Sequence, residues 1–438
     1  MQVPETEHII GMELYATTAE GIGGMLRQEP EDFVVKEVSG WDVEDSGKHL
    51  ILELTKKNWD THHIIRDLSR ALGISQKRIG FAGTKDKRAI TTQRISIFDI
   101  SEESIANVHI KDVQLTSIGR YRRAVELGDL RGNIFKISMR DIALDKDELK
   151  KRMDEITSEI HGMGGVPNFF GIQRFGAIRP VTHLVGEALV RGSPEEAAMI
   201  YIAASFKEEQ EDTRVARDEV RISRDFAQGL KTFPLRLRYE RAMMHYLVEH
   251  PADYTGSFSM LTESMSRMFV HAFQSYIYNR IICARIKAGI PLNQAIEGDI
   301  VCFKNSDSLP DTSRTQRVTA VNLDGMNNLI KRGRAFVTAP LFGYETEMAS
   351  GIPGELEVAI IDELRLKPED FRLQEIPVMA SRGQRREILI NVQPRFEILE
   401  DDLNTGKQKV MVDFSLPKGS YATTVLREYM KVEPLKMS

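Results

Sequence analysis

Two cysteines in 438 residues, Cys283 and Cys302, leave this chain no disulfide framework and no cysteine-rich metal site. No run approaches the roughly 20 consecutive apolar residues needed to cross a bilayer, so no membrane association is expected. The opening Met-Gln-Val-Pro-Glu-Thr-Glu has neither a basic nor an apolar stretch, and no secretory signal is expected from it. The ten histidines are badly spaced for metal. His62 and His63 are adjacent and His245 and His250 lie further apart than the i, i+4 spacing of a helical zinc pair. The glycines at Gly21, Gly23 and Gly24, and those at Gly162, Gly164 and Gly165, complete no dinucleotide fingerprint. A phosphate-loop Gly-Lys-Ser/Thr and a Gly-x-Ser-x-Gly elbow are also missing. These absences lead to the expectation of a reduced, cytoplasmic, globular protein with no metal, no nucleotide cofactor and no obligate protein partner.

What the chain does have is uneven charge. Its formal net charge is −5, yet Arg66, Arg70, Lys77, Arg78, Lys85, Lys87, Arg88 and Arg94 face only Asp67 and Asp86 within one short segment. A second basic segment holds Arg120, Arg122, Arg123, Arg131, Lys136 and Arg140 against Glu126 and Asp129, and Arg382, Arg385 and Arg386 form a third. Aromatics such as Phe81, Tyr121 and Phe135 are interleaved with them. Cations bind phosphates and rings stack on splayed bases, so this mixture suits RNA better than a small anion. Long cationic side chains also decorate ordinary surfaces. An acidic run (Glu208, Glu209, Glu211, Asp212) reads as a solvated face.

Periodicity supplies the elements. Phe33 to Val38 and Lys48 to Leu54 have strand character, with Leu50, Leu52 and Leu54 on one face. Asp60 or Thr61 caps a helix with an Ile64, Leu68, Leu72 stripe that stops at Gly73. Ile79 to Ala82 reads as a strand, 83 to 88 as a loop and Ile90 to Phe98 as the returning strand. Asn133, Phe135, Ile137 and Met139 share a strand face, with Lys136 and Arg140 opposite. Leu149, Met153, Ile156 and Ile160 repeat helically up to the breakers Gly162, Gly164, Gly165 and Pro167. Thr262 to Lys287 is helical. Val410, Val412, Phe414 and Leu416 alternate up to Pro417, and Ser420 is placed to cap a closing helix through Tyr429. The expected class is α+β: a mixed sheet from residues 1–163 and 376–438, interrupted by an inserted domain at 164–375.

Asp86 sits on the loop leaving a strand, inside the densest cation cluster, where an acid would meet a bound polyanion directly. It is the first candidate for chemistry, although a solvated turn often holds such a residue.

At this point the residues match a family. Gly83, Lys85, Asp86, Ala89, Thr91 and Gln93 fit the Gly-x-Lys-Asp-x-x-Ala-x-Thr-x-Gln signature of the TruD family of tRNA pseudouridine synthases, and the chain resembles its archaeal branch. Pro30-Glu31-Asp32-Phe33-Val34-Val35 is similar to the family's N-terminal strand and Leu130-Arg131-Gly132-Asn133-Ile134-Phe135 to its Gly-Asn-x-Phe element. Val166-Pro167-Asn168-Phe169-Phe170-Gly171 with Gln173-Arg174-Phe175-Gly176 resembles the opening of its inserted domain, and Leu416 to Thr423 its C-terminal block.

The resemblance implies a pseudouridine synthase catalytic domain with a long α/β insertion. Its substrate would be tRNA, at uridine 13 of the D arm, with the Asp86 carboxylate as nucleophile and no cofactor. It implies Arg27 as the cation beside Asp86, where many relatives carry Lys. Lys85 is the nearer cation in sequence, and its alternative role is a phosphate contact. Phe33 and Phe135 are the matching positions for a ring supporting the everted base; either is also a plausible core residue. Asn133 has an amide suited to the imide edge of uracil. Arg174, Arg179 and His183 motivate tRNA recognition by the insertion. The alternative reading of the same basic islands is a non-catalytic RNA-binding protein or RNA chaperone. A metal-dependent RNA hydrolase is disfavoured by the ligand spacing.

Overall fold

Strands in which buried residues alternate with exposed ones build the largest of three sheets, the least of which only pairs residues 166–167 with 389–390. In this computed structural model, which describes residues 2–437, they are β1 (Phe33–Ser39), β2 (His49–Lys57), β3 (Ile79–Phe81), β4 (Ile90–Phe98), β5 (Val113–Tyr121) and β6 (Leu130–Ile142). A second group, β7 (Ile300–Lys304), β8 (Pro310–Arg317), β9 (Ala335–Leu341) and β10 (Gln384–Glu387), forms the second sheet. The chain then returns to the first sheet through β11 (Arg395–Glu400) and β12 (Gln408–Pro417). Met1 and Ser438, the outer ends of the expected flanking parts, lie outside the described residues.

The largest sheet has the order β11-β12-β6-β1-β4-β2-β5, with β3 paired to β4. β1 and β4 run parallel and the other pairs antiparallel, so the sheet is mixed as expected. Leu50, Leu52 and Leu54 are fully buried beneath Ile64 and Leu68 of the helix Thr61–Ala71. Asp60 caps that helix by accepting from the His63 amide. The other half of the sheet packs Phe33, Val35, Phe135, Ile137 and Val412 against the helices Lys146–Met163 and Ala422–Met430. Lys146–Met163 ends at Gly164, whose φ of +77° is the left-handed cap glycine supplies cheaply. Ser420 does not cap the closing helix. Tyr421 occupies the N-cap position and bonds nothing there through its side chain, and the Ser420 hydroxyl has no partner.

The second body wraps the long helix Glu263–Lys287, whose first turn is capped by Thr262. Phe269, Phe273, Ile277 and Ile281 of that helix are buried with residues of the helix Thr182–Val190 and of β7 and β9. The second sheet has the order β10-β9-β7-β8. Its edge strand β10 lies beyond residue 375, because Arg385 is buried there against Glu357 of the second body. Ile10 and Met12 also join this core.

Two charge readings are corrected here. Arg140 is not on an open face: it is buried against Asp32 (2.6 Å) and Asp401 (2.7 Å). Glu209 is not solvated, since it pairs with the buried Arg217 at 2.9 Å. Both partners arrive from distant or bent parts of the chain, which a linear charge count does not register.

Candidate active site

The loop between β3 and β4 leaves most of its polar side chains at or near the surface while its backbone is held almost throughout. Gly128 donates to the Ala82 carbonyl at 2.9 Å, and Gln93 Nε2 to the Gly83 carbonyl at 3.1 Å. The Lys85 amide donates to Thr61 Oγ1 at 3.0 Å. Lys56 Nζ donates to the carbonyls of Trp59 (2.6 Å), Asp86 (2.8 Å) and Lys85 (3.3 Å). Asn58 closes the loop by donating to the Ala89 carbonyl. A carbonyl buried without a donor costs about 1–3 kcal/mol, so this set of donors fixes the loop strongly.

Asp86 is thereby presented with its side chain 40 % exposed, and Arg27 Nη2 meets its Oδ1 at 2.9 Å. Arg27 has a φ of +59°. Its guanidinium lies 4.0 Å from the centroid of the Phe33 ring, a cation–π contact that sets the plane of the donor. The expected pairing of Asp86 with Arg27 is therefore what the geometry shows.

Lys85 points elsewhere. Its Nζ pairs with Glu37 at 2.9 Å and donates to Asn133 Oδ1 at 3.0 Å, with its side chain only 7 % exposed. It is neither the partner of the Asp86 carboxylate nor open to phosphate in this conformation. The strand register explains the placement: Asn133 on β6 lies opposite both Glu37 of β1 and Leu416 of β12. The Asn133 amide nitrogen has no partner among the described residues.

Phe33 and Phe135 are core residues, edge to face at 6.2 Å, and Phe135 stacks on Phe414 at 5.5 Å. Of the two, only Phe33 adjoins the Asp86 pair, through Arg27. Arg27, Phe33, Lys85, Asp86, Asn133 and Phe135 thus form one connected cluster along β1 and the first half of β6.

Sequence reasoning missed Lys56, Glu37 and Thr61. The first two carried a signal: Lys56 is in phase with buried Leu50, Leu52 and Leu54, and Glu37 with buried Phe33 and Val35. Burial pushes the Lys56 ammonium down to about 8, with Lys85 adding to the fall and Asp86 and Asp60 opposing it. Further out, Arg179 donates to the carbonyls of Tyr201 and Ala204, and His183 is buried between Ile9 and Tyr276, so neither faces a ligand. Among the described residues no group of three His, Cys, Asp or Glu side chains is placed to hold a metal ion. No helix among them is long and apolar enough to cross a membrane.

A mixed sheet that displays one aspartate on a backbone-clamped loop, beside an arginine stacked on a phenylalanine, defines a candidate carboxylate site. Comparison with known proteins gives the family. The model of tRNA pseudouridine synthase D (TruD) matches residues 9–429. A protein of Methanococcoides burtonii named "Probable tRNA pseudouridine synthase D" is 61% identical, covering 100% of this chain and 99% of its own. One of that name from Pyrococcus furiosus is 40% identical over 96% of this chain and 99% of its own. The crystal structure of the TruD protein of Methanosarcina mazei superposes with a TM-score of 0.90 at 58% identity, covering 100% of both chains. The chain belongs to the TruD family of tRNA pseudouridine synthases, which are isomerases.

Proposed function

We propose that this protein isomerises a uridine of tRNA to pseudouridine, uridine 13 of the D arm by family resemblance, with the Asp86 carboxylate as nucleophile and no cofactor. The observation that carries the reading is the Arg27–Asp86 pair on a loop whose carbonyls are bonded to Lys56 and Gln93. The reaction breaks the bond from ribose C1′ to uracil N1 and makes one from C1′ to C5; the proton on C5 leaves and N1 gains one. No electron is gained or lost overall. What the protein has to supply is a positioned anion, a place for an everted base and groups that hold uracil while it turns.

The residues fit those roles. Arg27 orients the carboxylate, and Phe33 holds Arg27 flat. Asn133 offers an amide nitrogen to a uracil carbonyl, while Lys85 fixes that amide from its other end. Phe135 supports the strand that carries Asn133, and Phe33 becomes available to a base once Arg27 shifts. The flanks of the chain supply this catalytic part, and the middle is an insertion that closes over the tRNA. The enzyme acts in the cytoplasm.

Asp86→Asn keeps the size and polarity of the side chain and removes the anion. Purified tRNA lacking modifications, treated with wild type and variant, is expected to bind both with similar affinity. Only the wild type is expected to form pseudouridine, mapped position by position. Product formation by the variant at the wild-type rate would refute the assignment.

A further inference from the structure

Among the described residues, each of the five most deeply buried arginines meets a carboxylate. Arg140 has Asp32 and Asp401, Arg217 has Glu209 and Glu240, Arg285 has Asp299, Arg385 has Glu357, and Arg427 has Glu7 and Glu428. This is what desolvation demands, since a charge removed from water needs a counter-charge. Arg179, without one, spends its donors on two carbonyls.

Arg174 and Arg386 break the pattern. They line a cavity of about 540 Å³ together with His271, Arg382, Gly419 and Tyr421, and no aspartate or glutamate lines it. Arg174 has only a long bond from Nε to Ser275 Oγ, 3.4 Å, and the ring of Phe170 at 5.8 Å. Arg386 donates from Nη2 to Asn168 Oδ1 (2.7 Å) and to the Gly419 carbonyl (2.8 Å), and its Nε is buried with no partner among the described residues. Its guanidinium lies 4.4 Å from the Phe170 ring centroid. Burial lowers Arg174 from its ordinary value and the neighbouring Arg386 lowers it further; Tyr421 opposes both. His271 is likewise lowered by burial and by Arg174 and Arg267. Two like charges share one cavity and the protein provides no anion for them.

The surroundings indicate which anion. A smaller hollow of about 300 Å³ shares Gln384 and Arg386 with the cavity and continues to Pro417 and Lys418. Pro417 pairs with Gly132 and Leu416 with Asn133, which holds Lys85 beside Asp86. The hollow therefore leads from the cavity to the end of β12, the strand paired with Gly132 and Asn133, with exposed Lys418 on its rim. A free phosphate needs no such track; a nucleic-acid strand does.

We propose that Arg174 and Arg386 form a subsite for one backbone phosphodiester of the substrate RNA, away from the uridine at Asp86. This rests on the function proposed above in its choice of RNA. The two guanidiniums offer the forked donors that suit phosphate oxygens, and Phe170 and Tyr421 provide ring surface for an adjoining base.

The test uses the full-length protein with Arg174→Gln and Arg174→Lys, measuring affinity for unmodified tRNA across a salt series. Arg174→Gln is expected to weaken binding about ten- to a hundredfold, the range of a charge-assisted bond. It should also flatten the slope of log affinity against log salt by roughly 0.7, one phosphate contact on a single strand. Arg174→Lys should recover most of the slope and part of the affinity. Affinity and slope equal to wild type in a folded Arg174→Gln protein would overturn the subsite. So would titrated inorganic phosphate that binds wild type and not Arg174→Gln while tRNA affinity stays the same, since the site would then serve a free anion. Asp86→Asn run in parallel separates the two readings. If it forms product, the catalytic assignment fails while the salt slopes still decide the subsite.

Discussion

Lys56 gives the sharpest test of how the site is held together. Its ammonium is fully buried and donates to three carbonyls, two of them on the loop that carries Asp86. Burial lowers it from 10.5 to about 8. At about 1.4 kcal/mol per pKa unit, the charged form is held at a cost on the order of 3 kcal/mol relative to water. Raising the pH from 7 to 9.5 should discharge it, leaving roughly one molecule in thirty with the ammonium. The single-turnover rate of pseudouridine formation should then fall by a similar factor, with an apparent pKa near 8. Stability should move the other way. Between about 8 and 10.5 the unfolded chain binds the proton that the folded one has released, so this group's contribution to stability grows with pH. The expected signature is an alkaline loss of activity in a protein that melts no earlier on account of Lys56. Lys56→Met should start slow, at least tenfold below wild type at pH 7, and lack the limb near 8. Three carbonyls lose a donor, at about 1–3 kcal/mol each, while the desolvation cost disappears, so the variant should stay folded. A rate that is flat to pH 9.5, or an identical limb in Lys56→Met, would refute the reasoning.

Arg27→Met should cost under about 1 kcal/mol of stability, because Asp86 is 40 % exposed and such pairs are worth little. Its rate should nevertheless fall roughly a hundredfold. Arg27→Lys should fall between the two, having lost the planar contact with Phe33; melting and single-turnover rates check both. Arg140→Met leaves Asp32 and Asp401 buried without their cation and should cost about 3–5 kcal/mol, read from urea unfolding. Burial alone would raise Asp401, but bonds from the Asp141 amide, Asn404, the Leu403 amide and Arg140 outweigh it and hold the carboxyl at about 2. Its stabilisation is therefore present above an ordinary aspartate's pKa and lost as pH falls towards about 2, and in Arg140→Met that acid loss should begin at higher pH. Gly132→Ala would place a Cβ 2.2 Å from the Leu416 carbonyl within the β6–β12 ladder. It should cost about 2 kcal/mol or more and, by displacing Asn133, slow the reaction; unchanged melting would contradict the packing.

Local repeats were readable because both partners of the pattern lie within one segment. Leu50, Leu52 and Leu54 specify a strand face, and Asp60 followed by Ile64 and Leu68 specifies the helix that covers it. Arg140 shows where that reasoning stops: Asp401 lies 261 residues away, and only the β12–β6 pairing brings the two together. The third basic island failed as a group for the same reason, since Arg385 is spent on Glu357 while its neighbour Arg386 has no acid. A count of basic residues along a chain thus mixes structural cations with binding ones. The separation comes from asking, of each buried charge, which counter-charge the fold supplies. The strands carry the same lesson in a form the sequence does show. A hydrophobic alternation interrupted by a charge in the buried phase, as at Lys56 after Leu54 and Glu37 after Val35, marks a position where folding alone gains nothing from that residue type. In this protein both interruptions abut the loop of Asp86, and the ions they bury hold it in place. Interrupted alternation is therefore the pattern that leads from the sheet to the chemistry.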